Sequence, residues 1–163
     1  MKKRTSLLLL ALSVLAALVL LAGCAGGEEA AEPLPEGLEE TALLEAGREV
    51  AGLLSQGDYQ AVYDQLRADV RSGLTVDDIA AVMDPVREEA GDLQSEAEAS
   101  AYGDSEAEPL GIADLLYTFA QEKVRFRVAF DPELTLTGFS AGVERSGWSF
   151  DNLVDNITGF FGG

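Results

Sequence analysis

Lys123-Val124-Arg125-Phe126-Arg127-Val128-Ala129-Phe130 alternates without a break. Val124, Phe126, Val128 and Phe130 fall on one side of an extended chain, and Lys123, Arg125, Arg127 and Ala129 on the other. A period of two held over this run, with valine and phenylalanine at every other position, marks a strand that buries one face. The preceding segment carries Leu115, Tyr117 and Phe119 at the same spacing, and Gln121-Glu122 supplies a polar turn between the two. Closing a hairpin there pairs Phe119 with Val124 and Tyr117 with Phe126, so both strands bury the same face.

Moving outward, Asp131-Pro132-Glu133 reads as a turn into a last strand over residues 134–141. On the other side an acidic loop over residues 103–111 leads back to a weaker strand. There Leu93, Ser95, Ala97 and Ala99 alternate with Gln94, Glu96, Glu98 and Ser100. Four strands in sequence, joined by short turns, predict an antiparallel meander.

Before Gly91 the period changes to that of a helix. Leu43, Gly47, Val50, Leu53 and Leu54 form one stripe, which Gly57 stops. Asp58 is placed to cap a second helix whose Tyr59, Val62, Tyr63 and Leu66 share a face and which Gly73 ends. Thr75 caps a third, with Asp78 three residues on as a weakened capping box and Ile79, Val82 and Met83 facing inward. Pro85 lacks an N–H, so Asp84-Pro85 predicts a break and a short fourth turn to Glu89. Helices followed by a meander indicate the α+β class, with the helices on one face of a curved sheet over residues 41–143. Phe150, Leu153, Val154 and Ile157 predict a helical tail within residues 144–163.

At the other end, Lys2, Lys3 and Arg4 precede an apolar run over residues 7–21 that is interrupted only by Ser13, the pattern of a secretory signal. Leu21-Ala22-Gly23-Cys24 resembles the lipobox of bacterial lipoproteins. That resemblance implies cleavage between Gly23 and Cys24, lipidation of the Cys24 thiol, and a protein held at the extracytoplasmic face of the cell membrane. Cys24 is the chain's one cysteine, so no internal disulfide can form and a lipid accounts for the lone thiol. Residues 24–40, rich in Gly, Pro and Glu, predict a disordered tether.

Removing residues 1–23 keeps all 29 acidic residues and 8 of the 11 basic ones, a net charge of −21. Phosphate backbones and anionic headgroups repel such a surface, which argues against a nucleic-acid partner and leaves the lipid as the membrane contact. The chain has no histidine, which excludes His-dependent triads and most zinc and iron sites. Lys123 would then be the mature protein's one lysine, an ordinary solvated strand residue rather than a Schiff-base former. Asp104, Glu106 and Glu108 alternate as in a calcium loop, but Pro109 replaces the required glycine, so no metal is expected there.

Leu53-Leu54, Gly57-Asp58-Tyr59, Val62 and Leu74-Thr75, followed by the meander, resemble a small domain of unknown function common in bacterial lipoproteins and similar to cystatin-like, nuclear-transport-factor-like folds. The resemblance implies no activity or cofactor. Folds of that shape can enclose a pocket between helices and sheet, for which Tyr59, Tyr63 and Tyr117 are candidates, as ligand contacts or as parts of a small enzyme. The preferred reading is a non-catalytic binding or accessory module.

The candidate binding residues are Lys123, Arg125, Arg127 and Tyr117. Three cations on one strand face invert the local sign of an acidic domain. In the expected register only Asp114 lies within diagonal reach of them, so the hairpin does not neutralise the row. Unless the row is merely solvated, that leaves two outcomes. The tail folds back so that Asp151 and Asp155 meet the arginines, or the row receives an acidic partner: a second copy or an anionic wall polymer.

Overall fold

The computed structural model describes residues 31–144. The chain divides into two units, Met1–Ala31 and Glu32–Gly163, and the described helices and strands belong to the second. Helices α1 (Glu40–Gln56), α2 (Tyr59–Gln65), α3 (Ala68–Arg71) and α4 (Val76–Ala90) come first. Strands β1 (Leu93–Asp104), β2 (Leu110–Phe119), β3 (Lys123–Phe130) and β4 (Leu136–Val143) come after them, antiparallel and in the order β1-β2-β3-β4. This is the α+β meander the periodicities predict.

α1 buries Leu43, Gly47, Val50, Ala51 and Leu54 against the sheet. The approach is close: a Cβ on Gly47 would lie 2.5 Å from the Ala113 Cβ. Gly57 closes α1 at φ 80°, a left-handed conformation open to glycine, with its N–H bonded to the Leu53 and Leu54 carbonyls. Asp58 accepts from the Ala61 N–H at 3.2 Å. At α4 the capping box is complete: Thr75 Oγ1 accepts from the Asp78 N–H at 3.2 Å, and the Asp78 carboxylate accepts from the Thr75 N–H at 2.8 Å. Serving as the N3 acid of that box, Asp78 is held below the ordinary carboxylate range by its hydrogen bonds from Thr75.

The expected second helix is two pieces. Leu66 turns extended and bridges Leu136 in parallel, and the Arg67 N–H donates to the Leu136 carbonyl at 2.8 Å, so the sheet takes the donor a continuous helix would need. The expected break at Pro85 is absent, because α4 runs through it. Pro85 and Ala81, whose carbonyl loses a helical donor, are both exposed, and the turns on either side are held by Met83 and Ala90 in the core. Val82, expected inside, is 48% exposed, and the buried stripe is Ile79, Met83 and Ala90 with Val86 partly buried.

The β2–β3 register differs by two residues from the expected one: Tyr117 faces Val124, Leu115 faces Phe126 and Asp114 faces Arg127. The turn is wider because the Ala120 N–H is bonded to the Asp92 carbonyl and the Gln121 N–H to the Ala90 carbonyl, tying it to the end of α4. A shift of two preserves the faces, so Val124, Phe126, Val128 and Phe130 are all buried as predicted. β4 starts at Leu136 rather than 134, since Leu134 adopts φ 60° in a turn built on Asp131, whose Oδ1 accepts from the Glu133 and Thr135 N–H groups. In β1 the register shifts near Leu93 and again between Glu96 and Glu98 interrupt the expected alternation, and Leu93 is 41% exposed.

The core lies between α1, α2, α4 and one sheet face, centred on Phe126, with the Tyr117 ring edge-on to it at 5.9 Å. The expected tether ends early. Glu32 bridges Gly103, whose N–H donates to the Glu32 carbonyl at 2.7 Å, and Leu38 is buried against the core. Two leucines, Leu34 and Leu38, thus give a Pro- and Glu-rich stretch enough apolar area to dock. The expected signal, lipobox and tail fall on residues 1–30 and 145–163, outside the described residues.

Candidate binding face of the sheet

The ladder registers assign the sheet's other face, away from the helices. Ser100, Tyr102 and Asp104 of β1 lie beside Asp114, Ile112 and Leu110 of β2, and Leu116 faces Arg125. Arg125, Arg127 and Ala129 of β3 lie beside Gly142, Ser140 and Gly138 of β4. Ile112 and Leu116 are 8% and 3% exposed, yet neither belongs to the main core cluster.

The cation row is neutralised within the sheet, which corrects the expectation that the hairpin leaves it open. Asp114, with a side chain 8% exposed, accepts from Arg125 Nη1 at 2.7 Å and from Arg127 Nε at 3.0 Å. Arg125 also makes a two-pronged pair with Glu144, at 2.9 and 3.2 Å, and approaches Glu98 at 3.9 Å. The Glu144 hydrogen bonds are the chief reason the Arg125 guanidinium binds its proton more tightly than an ordinary arginine, with Asp114 next among the favourable causes. Lys123 is exposed and makes no ion pair among the described residues.

Beside this network a groove of about 610 Å³ opens at the start of β4. Ile112 and Ala129 give it an apolar floor and Tyr102 one wall, while Arg67 and Arg127 line it beside them. Arg67 is fixed by two bidentate partners, Glu108 at 2.8 and 3.0 Å and Asp69 at 2.8 and 3.0 Å, which raise its proton affinity. Burial pushes the Tyr102 phenol up. An apolar floor beside two arginines and the acids Asp69, Asp104 and Glu108 suits an amphipathic ligand more than a bare anion, since each guanidinium already has a carboxylate.

The tyrosines do not converge. Tyr117 lies on the helix face, opposite to the cations, and donates to Glu96 at 3.3 Å; burial pushes its phenol up to about 12. Tyr59 donates to Asp84 at 2.6 Å, and Tyr63 to the Arg71 carbonyl at 3.4 Å. Asp104 accepts from the Glu106 N–H while Glu108 turns to Arg67, and among the described residues no group of three or more acids is disposed to hold a metal. Arg67, Tyr102 and Glu144 escaped the sequence reading. The one legible signal was Asp114, a lone acid in the apolar run LGIADLLYTF.

No helix among the described residues is long and apolar enough to cross a membrane. The fold is shared with a solved NMR structure of a protein from Ruminococcus gnavus at a TM-score of 0.58 and 17% identity, covering 68% of this chain and 96% of that one. No curated protein matches the sequence. A family model described as a protein of unknown function (DUF3887) matches residues 47–139, from the middle of α1 into β4, and the chain belongs to that family.

Proposed function

We propose that this is a lipid-anchored protein of the cell envelope, held on the extracytoplasmic face of the membrane through Cys24, whose DUF3887 domain binds a ligand or partner without catalysing a reaction. The observation that carries the anchoring is the coincidence of an apolar signal, the tetrapeptide Leu21-Ala22-Gly23-Cys24 and a lone cysteine at its end. The described domain is compatible with cystatin-like, nuclear-transport-factor-like architecture. Its amphipathic groove supports binding.

A single acyl chain holds a protein to a bilayer only marginally, whereas the two or more that the lipobox implies hold it stably. Cys24→Ser in cells fed labelled palmitate tests this. The wild-type protein is expected to carry label, run as the processed form and fractionate with membranes, and the variant to stay unprocessed and unlabelled. A variant processed and membrane-bound like the wild type overturns the reading.

A further inference from the structure

The described chain ends at Glu144 on the face opposite to the helices, with its N–H on the Lys123 carbonyl at 2.8 Å and its carboxylate on Arg125. We propose that the outer face of β3 and β4, down to the groove at their far end, is the seat of this chain's own C-terminal segment, residues 148–161. Three observations carry it. First, the seat is cut for a bulky occupant: β4 presents Gly138, Ser140 and Gly142 there, and nothing lies within 4 Å of a Cβ built on Gly138. The groove beyond, floored by Ile112 and Ala129, offers apolar contact.

Second, the lengths agree. Residues 150–161 span about 18 Å as a helix, against about 20 Å of strand from Gly142 back to Leu136. Residues 145–149 reach far enough to reverse the chain over β4, so the segment runs back along the strand toward the groove.

Third, the patterns are complementary, side for side. Phe150, Leu153, Val154, Ile157 and Phe161 recur at i, i+3, i+4, i+7 and i+11 as one stripe, and Asp151 and Asp155 border it on one side only. Outward residues of β4 donate toward β3, as the Glu144 N–H does, which fixes the hand of the sheet. A right-handed helix running back over β4 on this face turns the acidic border toward β3, where Lys123, Arg125 and Arg127 stand. Asp151, nearer the reversal, meets Lys123, the cation of the row with no ion pair among the described residues, and Asp155 adds its charge on the side of Arg127 without replacing the Asp114 pair.

The chain's one tryptophan, Trp148, sits at the head of this segment and reports on it. In the full chain the seat predicts blue-shifted Trp148 emission, weak acrylamide quenching, independence of protein concentration, and slow hydrogen exchange over residues 150–160. Asp151→Lys with Asp155→Lys, which alters no residue of the sheet, is expected to red-shift the emission, raise quenching several-fold and speed that exchange. Adding Lys123→Asp, at an exposed position, is expected to restore part of the protection. Freely quenched Trp148 in the wild type, fast exchange over residues 150–160, or indifference to the double reversal overturns the proposal. Protection that appears only at high protein concentration overturns it too, in favour of a second copy as the occupant.

Discussion

Asp114 and Arg127 face each other directly across β2 and β3, and the Arg127 Nε donates to the Asp114 Oδ2 at 3.0 Å. The same carboxylate takes Arg125 at 2.7 Å, so one nearly buried acid holds two arginines on an otherwise apolar strand. Removing one partner of a buried pair is costlier than the pair is worth, because the remaining charge stays in place without its counter-ion. Asp114→Ala is therefore expected to destabilise by about 2–3 kcal/mol, below the roughly 3–5 of a fully buried pair because both arginines reach water. Asp114→Asn should recover part of the loss, and urea denaturation of the three proteins measures it.

Phe126 is fully buried beneath α1, beside Phe119 and Tyr117. Phe126→Ala is expected to cost about 3–5 kcal/mol, enough to unfold a marginal domain. Arg125→Ala, one residue away on the opposite face, leaves Asp114 with Arg127 and is expected to cost about 1 kcal/mol. Melting temperatures separate the two, and equal shifts would mean that the strand buries the wrong face.

Arg48 of α1 makes a two-pronged pair with Glu96 of β1 at 2.8 and 3.0 Å. This hydrogen bonding from Arg48 holds the Glu96 carboxyl below the ordinary glutamate range. A carboxyl depressed in the folded state contributes stability that is present above its unfolded value and lost as pH falls through the folded one. Wild-type melting temperature is thus expected to fall as pH drops below the ordinary glutamate range, with Glu96→Gln starting lower at neutral pH and giving a flatter slope, so that the two proteins converge in acid. Parallel slopes for the two proteins would remove Glu96 from the acid sensitivity of the fold.

The alternation in residues 123–130 made the sheet and its buried face legible, because period two survives any register shift of two. The partner of each cation was not legible. It depended on the Ala120 and Gln121 N–H groups bonding to Asp92 and Ala90, contacts between segments that no local pattern records. Pro85 misled for the opposite reason. Its helix-breaking tendency is a local cost, and packing of Met83 and Ala90 outweighed it. The groove depends on Arg67, Tyr102 and Ile112, which line one space only once Leu66 has joined the edge of β4. Nothing in their own neighbourhoods marked them.

β4 borders the sheet, and beyond the bridge at Leu136 no described strand pairs with its free side. Its sequence, LTGFSAGV, contains no charge and no proline, the local devices that keep such borders from recruiting copies of themselves. What keeps molecules apart is therefore long-ranged: a net charge of −18 spread over the whole chain. That protection is a property of the medium as much as of the fold. It thins with added salt and vanishes near the isoelectric point of about 4.1, where the strand is left without that repulsion.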